Sequence, residues 1–316
     1  MTTIPTPGAD SLGAPTRSAP EGNSGSSATQ AVALLLASIG FITLVDTTAK
    51  FFTSDLHGVQ LVWGYFLGIA VSIVVYMQVR RIPLVETLRA RRPALQMLRA
   101  GALAVSISLL FVGLTYLPIA DATVLSFMAP LFITALSGPL LGERVGRHRW
   151  FAVLTGLCGV VFMLRPGSDL YHWASLLTLL GAISFAFFQI LTRKLSTSDS
   201  TMTTLCYTAL GGLVWISLFV PAFWVAPLPI HWVVFMATGV LGFFAHLCMI
   251  NALKRAQASL LAPFNYSKLI WAALTGYVVF GDIPSLDTVL GSAVIIGSGL
   301  YVFYREVRLQ RRPVVR

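Results

Sequence analysis

Apolar residues along this chain fall into long blocks that short polar turns separate. Ten blocks each have a length near the ~20 residues that a membrane-spanning helix needs. We call them spans 1 to 10, and they cover residues 30–52, 58–79, 95–116, 119–141, 148–165, 171–192, 202–224, 230–252, 257–280 and 285–304. The pattern predicts an all-α polytopic membrane protein in which the short connections make consecutive helices antiparallel neighbours.

The first five spans and the last five share polar landmarks in the same order. Thr-Ser-Asp occurs at 53–55 and again at 197–199, and Ala-Asp-Ala-Thr at 120–123 resembles Ala-Gln-Ala-Ser at 256–259. Because five is an odd number, the second copy must cross the membrane in the opposite sense. Inverted repeats of this kind are characteristic of secondary transporters.

These landmarks divide the chain into two repeats and two tails. The repeats are predicted at 30–165 (spans 1 to 5) and 171–304 (spans 6 to 10). Residues 1–29 are rich in Pro, Gly, Ser and Thr and predict a disordered cytoplasmic tail. Residues 305–316 form a basic tail that we also place in the cytoplasm.

Composition and charge agree with a membrane protein. The 316 residues are 56% hydrophobic and 11% charged, whereas soluble domains are about 25% charged. The net charge of +10 lies in short loops, which argues against a nucleic-acid-binding face. Placing the N-terminus inside puts every Lys and Arg except Lys50, Arg165 and Lys268 on the cytoplasmic side. The positive-inside rule therefore predicts a multi-pass inner-membrane protein with both termini cytoplasmic.

Span 9 carries the most unusual polar residue of the chain. Lys268 lies about 12 residues, or ~18 Å, from either end of the span, too deep for its ammonium group to reach the headgroups. An ionisable group at that depth indicates a functional site. Asn265, Tyr266 and Trp271 lie within one helical turn of it, and we predict that these four residues bind the substrate.

Span 1 provides the other deep charge. Asp46 and Lys50 are four residues apart, so they share one helix face and can pair with each other. They form either a structural pair or a polar patch that meets the substrate or a coupling proton. A bridge from Lys268 to Asp46 is the alternative, and such a bridge can itself act as a gate.

Three further residues are candidates for gating or coupling. Pro130 and Pro263 lie near the middle of spans 4 and 9, where each proline removes an amide donor and predicts a helix break. His246 in span 8 is either a hydrogen-bonded core residue or part of a proton relay.

The sequence has no constellation typical of an enzyme. It lacks the HExxH, Walker A and Gly-x-Ser-x-Gly motifs. Its three cysteines lie in apolar runs without a CxxC pair or a His/Cys cluster, so no metal or cofactor is expected. The expected partners are a small-molecule substrate, the lipid bilayer and protons as a coupling ion, in a monomer or homodimer.

Two paired segments resemble the EamA group of the drug/metabolite transporter superfamily. One runs from Pro130 to the Leu-Leu-Gly-Glu that ends at Glu143, and the other is Ala-Pro-Phe-Asn-Tyr at 262–266 followed by Phe-Gly-Asp-Ile-Pro at 280–284. The second is similar to the segment in bacterial S-adenosylmethionine, amino-acid and riboflavin carriers of this group, although Asp282 stands where these relatives usually have Glu. The resemblance implies a ten-helix carrier with a central cavity lined mainly by spans 1, 3, 4, 6, 8 and 9.

The function we expect is therefore secondary active transport by alternating access. Opposite charges at Asp46 and Lys268 suit an amino-acid-like or zwitterionic metabolite. A riboflavin-like vitamin is the alternative within the same fold, since aromatic residues can stack on a planar ring. A membrane sensor or enzyme without transport is the alternative from another class.

Overall fold

The computed structural model describes residues 24–141, 147–164, 172–195, 198–255 and 261–310, and every element in these ranges is helical. The α-helices, labelled α1 to α13, are Ser24–Phe51, Gly58–Val79, Leu84–Thr87, Pro93–Leu114, Ile119–Ser126, Ala129–Leu141, Arg147–Met163, Trp173–Leu195, Thr201–Cys206, Gly212–Phe219, Pro229–Arg255, Ser267–Thr275 and Leu286–Gln310. Short 3₁₀ turns cover Phe52–Ser54, Val220–Phe223 and Ala262–Tyr266, and π-helical turns cover Tyr207–Gly211 and Gly276–Phe280.

The predicted all-helical membrane fold is confirmed. Within the described ranges, seven helical segments are long and apolar enough to cross a membrane, and they correspond to spans 1 to 4 and 6 to 8. Spans 5 and 10 contain the shorter apolar helices Trp150–Met163 and Leu286–Tyr301. Span 9 is described only from residue 261 onwards, because 256–260 lie outside the described residues.

Two helices extend beyond their predicted limits. Helix α1 begins at Ser24, inside the segment that we expected to be a tail, and α13 continues to Gln310, inside the basic tail. The C-terminal extension is rich in Arg, Glu, Leu and Gln, which have high helix propensity. Composition alone therefore predicts both tails a few residues too long.

Spans 4, 7 and 9 are interrupted helices. Span 4 breaks at Phe127 and Met128, between α5 and α6, and Pro130 follows as the second residue of α6. In span 9 a 3₁₀ turn with Pro263 at its start leads into α12, which passes into a π turn. A proline cannot donate to the helical ladder, and π turns inside α-helices are frequent at functional sites.

The two halves pack against each other in a pattern that respects the repeat. Span 1 packs along span 8, and span 3 packs along span 6. Span 6 is the repeat counterpart of span 1, and span 8 is the counterpart of span 3. The contact between spans 3 and 6 is therefore the repeat counterpart of the contact between spans 1 and 8. Span 5 packs on span 10 and span 4 on span 9, and these pairs map onto themselves. A duplicated fold with approximate two-fold symmetry accounts for all four contacts.

The repeated Thr-Ser-Asp segment shows the same symmetry at the level of side chains. Asp55 Oδ2 lies 3.5 Å from Nε2 of His231, which is in the first turn of span 8. Its counterpart Asp199 accepts hydrogen bonds from Gln96 Nε2 at 2.9 Å and from the backbone N–H of Arg91 at 2.8 Å, at the start of span 3. Each aspartate therefore lies against the start of a long helix from the opposite half, and Asp199 is hydrogen-bonded there.

The structure corrects the predicted location of Arg99. We counted it among the basic residues of the cytoplasmic side, but it lies within α4 and is only 2% exposed. Its guanidinium donates to Gln96 Oε1, Thr192 Oγ1 and the carbonyl oxygen of Thr204, and it lies 5.0 Å from the centre of the Phe188 ring. A buried arginine thus joins spans 3, 6 and 7, which its position near a span end did not reveal.

Candidate functional site

The deep charges of the two halves form an ion pair. Lys268 Nζ lies 2.9 Å from Asp46 Oδ2, and the side chains are 20% and 8% exposed, respectively. Burying an isolated charge at membrane depth costs about 3 kcal/mol or more on insertion scales, so each group stabilises the other. The contact that the sequence left as an alternative, between span 1 and span 9, is the one that the structure contains.

Two threonines near Asp46 on span 1 bond to the backbone of their own helix. Thr43 and Thr47 donate their hydroxyl protons to carbonyl oxygens of their own helix, Ile39 O at 2.9 Å and Thr43 O at 2.7 Å. Their donors are therefore already used within α1. Asp46 is paired with Lys268 and not with its own helix. Of Thr43, Asp46 and Thr47, the aspartate is therefore the residue most suited to exchange its partner for a ligand.

Span 9 presents Lys268 directly after its break. Lys268 is the second residue of α12, and the 3₁₀ turn Ala262–Tyr266 precedes this helix. Asn265 in that turn is exposed, and Trp271, three residues after Lys268, is 41% exposed. An ammonium group, an amide and an indole thus lie along one stretch of span 9, next to the carboxylate of span 1.

Tyr266 has a different environment from its neighbours in sequence. Its ring meets Phe127, at the break of span 4, edge to face with the centroids 5.3 Å apart. Its hydroxyl lies against Gly299 of span 10, where an added Cβ would come within 2.1 Å of it. Tyr266 therefore holds the breaks of spans 4 and 9 against span 10, and we assign it a positioning role.

Lys50 pairs with a different acid from the one expected. Its Nζ lies 2.8 Å from Asp282 Oδ2 and 3.1 Å from the carbonyl oxygen of Leu117, and 4.9 Å from the centre of the Phe280 ring. Asp282 follows Gly281, whose φ of 73° turns the chain at the end of span 9. These contacts join the end of span 1 to the turn between spans 3 and 4 and to the end of span 9. The spacing of four residues indicated Asp46 as the partner and could not reveal Asp282.

A second buried acid lies near this end of the bundle. Asp121, in the first turn of α5, accepts a hydrogen bond of 2.6 Å from Thr288 Oγ1 near the start of α13. Thr288 also interacts with Ser285 at 2.9 Å. Together with Lys50 and Asp282, this network ties the turn between spans 9 and 10 to the first half.

Of the remaining candidates, Pro130 and His246 lie far from Asp46 and Lys268 along the chain, whereas Pro263 lies five residues before Lys268. Pro130 is exposed just after the break of span 4, and only the backbone of Pro263 is described. His246 in α11 lines a small cavity of about 10 Å³ together with Thr208 of span 7. Glu143, the counterpart of Asp282, lies outside the described residues. In the ranges that the structure describes, no group of three or more His, Cys, Asp and Glu side chains is placed to hold a metal ion.

A protein-family model matches both halves of the chain. The model of the EamA-like transporter family matches residues 29–165 and 172–304, one match for each half. This chain belongs to the EamA-like transporter family. It is a multi-pass membrane transporter and not an enzyme, and it moves a small molecule across a membrane.

Individual relatives differ in what they carry. The chain is 29% identical over 265 residues to an S-adenosylmethionine uptake transporter of Rickettsia prowazekii, with 83% of this chain and 88% of the relative covered. It is 30% identical over 282 residues to a riboflavin transporter of Vibrio cholerae, covering 88% and 94%. It is also 27% identical over 188 residues to the pseudopaline exporter CntI of Pseudomonas aeruginosa, covering 59% and 66%.

A solved crystal structure has the same fold. It superposes with a TM-score of 0.59 at 21% sequence identity, covering 89% of this chain and 99% of that chain. At this identity the likeness concerns the fold alone. The substrate must therefore be argued from the residues of the site.

Proposed function

We propose that this protein is a gradient-driven carrier for a small zwitterionic metabolite of the amino-acid type. The observation that carries the proposal is the ion pair between Asp46 and Lys268, which joins the two halves deep in the membrane. A solute with one carboxylate and one ammonium group can pair its carboxylate with Lys268 and its ammonium group with Asp46. It can therefore replace the pair without leaving either side chain unpaired, which a neutral solute cannot do.

The polar residues beside the pair suit the rest of such a solute. The carboxylate would bind Lys268, since charge-assisted hydrogen bonds are about twice as strong as neutral ones. Asn265 offers an amide, and Trp271 offers an apolar ring face to a side chain or a base. S-adenosylmethionine, which the Rickettsia prowazekii relative takes up, has an amino-acid end of this kind.

Transport against a gradient requires a coupling ion, and we propose protons. Asp46 is the first candidate because it alternates between a salt bridge and a ligand, and His246 is the second. From the positive-inside bias we also propose that both termini lie in the cytoplasm of a bacterium and that Lys50 and Asp282 lie at the outer face. The relatives include an uptake transporter and an exporter, so direction is a property to be measured.

A riboflavin-like vitamin is the second candidate substrate. The Vibrio cholerae relative is a riboflavin transporter and matches 88% of this chain. Tyr266 and Trp271 lie two and three residues from Lys268 along the chain, and the Tyr266 ring contacts Phe127, so these rings can stack on a planar solute. Such a solute would leave the ion pair of Asp46 and Lys268 intact, which distinguishes the two proposals.

The test is uptake into proteoliposomes under an imposed pH gradient. The solutes are radiolabelled amino acids, an opine, S-adenosylmethionine and riboflavin, each measured with the wild type and with Lys268→Met. We expect uptake of at least one zwitterion and a loss of ten-fold or more in Lys268→Met, because a charged hydrogen bond contributes about 1.5–3 kcal/mol. Lys194→Met is the matched control, since Lys194 is an exposed lysine at the end of α8.

Two results would contradict the proposal. If Lys268→Met transports as well as the Lys194→Met control, Lys268 belongs to the structural framework and not to the site. If riboflavin alone is carried and the Lys268→Met variant still carries it, the vitamin alternative replaces the zwitterion.

A further inference from the structure

Spans 1 and 9 are joined by two ion pairs and not by one. Asp46 pairs with Lys268 at 2.9 Å, and Lys50, four residues further along α1, pairs with Asp282 at 2.8 Å. In each pair one partner comes from span 1 and the other from the second half. The acid of span 1 and the base of span 1 thus have separate partners, although they lie on the same face of one helix.

The spacing on α1 allows these partners to be exchanged. Side chains at positions i and i+4 of a helix are neighbours, with Cβ atoms about 5–6 Å apart. Lys50 can therefore reach Asp46 by a change of side-chain rotamer, without any movement of α1. Asp46 is held by Lys268 in this structure, so Lys50 has Asp282 as its acid.

The pair of Lys50 and Asp282 joins chain segments at one end of the bundle. Lys50 also donates to the carbonyl oxygen of Leu117, in the turn between spans 3 and 4, and its ammonium lies beside the ring of Phe280. Asp282 is fixed by the turn at Gly281 and by its backbone N–H, which donates to Gly276 O at 3.1 Å. One lysine therefore holds three chain segments together above the deep pair.

We propose that Lys50 is a gate whose partner is set by the occupancy of Lys268. When an anionic group binds Lys268 before a cationic group has reached Asp46, Asp46 loses its partner and attracts Lys50. Lys50 then leaves Asp282 and Leu117, and this end of the bundle opens. The device couples the deep site to a closure one helical turn away, and it rests on the proposed function only for the identity of the anionic group.

The exchange can be tested without a known substrate. In a background in which Cys158, Cys206 and Cys248 are replaced by alanine, Thr47→Cys places a buried thiol three residues before Lys50. The probe is a charged, membrane-impermeant methanethiosulfonate reagent added to intact cells, and the measurement is the rate of labelling. Lys268→Gln imitates the neutralised lysine and frees Asp46.

We expect labelling to be slow with the native charges and at least about three-fold faster in Lys268→Gln. Adding Asp46→Asn to Lys268→Gln removes the new partner of Lys50 and should return the rate to the slow value. Asp282→Asn alone should accelerate labelling because it breaks the closure directly. Ser54→Cys, an exposed position just after span 1, is the control for expression and reagent access and should react equally in all variants.

Two outcomes would overturn the gate. One is an unchanged rate in Lys268→Gln, and the other is an acceleration that persists when Asp46→Asn is added. Both are distinct from failure of the proposed function, which is read from solute uptake. A Lys268→Met variant that still transports would remove the substrate from the deep pair and leave the exchange of charges to be judged by labelling alone.

Discussion

The double substitution of Asp46 and Lys268 separates a structural ion pair from a binding site. Lys268→Met deprives the Asp46 carboxylate, only 8% exposed, of the partner it has in this structure, so that it stays unpaired or takes Lys50 from Asp282. Asp46→Asn leaves an ammonium without its acid. At 2.9 Å and an effective dielectric constant of 20, the attraction between the charges is about 6 kcal/mol before desolvation is subtracted. Breaking a buried pair by removing one partner costs about 3–5 kcal/mol.

The expected loss of stability lies at the lower end of that range. Lys268 keeps one-fifth of its side chain exposed, so we expect each single variant to lose about 3 kcal/mol. For a chain of this size that corresponds to a fall of roughly 6 °C in the unfolding midpoint. The double variant Asp46→Asn/Lys268→Met has no unpaired charge and should return to within about 2 °C of the wild type.

Transport should not recover together with stability. A binding site needs the two charges themselves, so the double variant should remain at least ten-fold slower than the wild type although it is as stable. The assays are thermal unfolding of purified protein in nanodiscs and uptake into proteoliposomes. A double variant that regains both stability and transport would refute the reasoning, because it would show that the pair only holds the helices together.

Three further predictions concern residues around the site. Gly299→Ala should lower the unfolding midpoint, because the new Cβ would lie 2.1 Å from the Tyr266 hydroxyl. Tyr266→Phe removes that oxygen, so the double variant should regain the midpoint. A double variant that does not regain it would contradict the contact. Arg99→Met should remove the charged hydrogen bonds to spans 6 and 7 and cost about 3 kcal/mol in a thermal unfolding assay. A change below about 1 kcal/mol would be inconsistent with the buried network. Asp199→Ala should accelerate hydrogen exchange at the start of α4, where Asp199 accepts hydrogen bonds from Gln96 and Arg91. Unchanged exchange at these amides would argue against those hydrogen bonds.

The membrane fold could be predicted because the bilayer imposes strong constraints on sequence. Apolar runs of about 20 residues mark helices directly, and Gly58–Val79 begins and ends where span 2 was expected. The repeat was visible because Thr-Ser-Asp and the other landmarks have roles that the structure repeats, such as those of Asp55 and Asp199. Helix ends at α1 and α13 were less certain, since polar residues with good helix propensity continue a helix beyond the apolar run.

Partners of charged side chains were much harder to predict than their depth. The depth of Lys268 follows from its distance to both ends of span 9, whereas its contact with Asp46 depends on how span 9 packs on span 1. Lys50 shows the limit of local reasoning. Its spacing favours Asp46, four residues away, whereas the tertiary fold brings it to Asp282. Arg99 shows a related limit: a position close to a span end is compatible with a solvated or a buried side chain.

The central claim is that the solute replaces the ion pair between Asp46 and Lys268. An experimental structure of the protein with a transported zwitterion bound tests it most directly. The account predicts the solute's carboxylate within hydrogen-bond distance of Lys268 Nζ and the 2.9 Å contact between Lys268 and Asp46 broken. A bound solute elsewhere, with that contact intact, would contradict it.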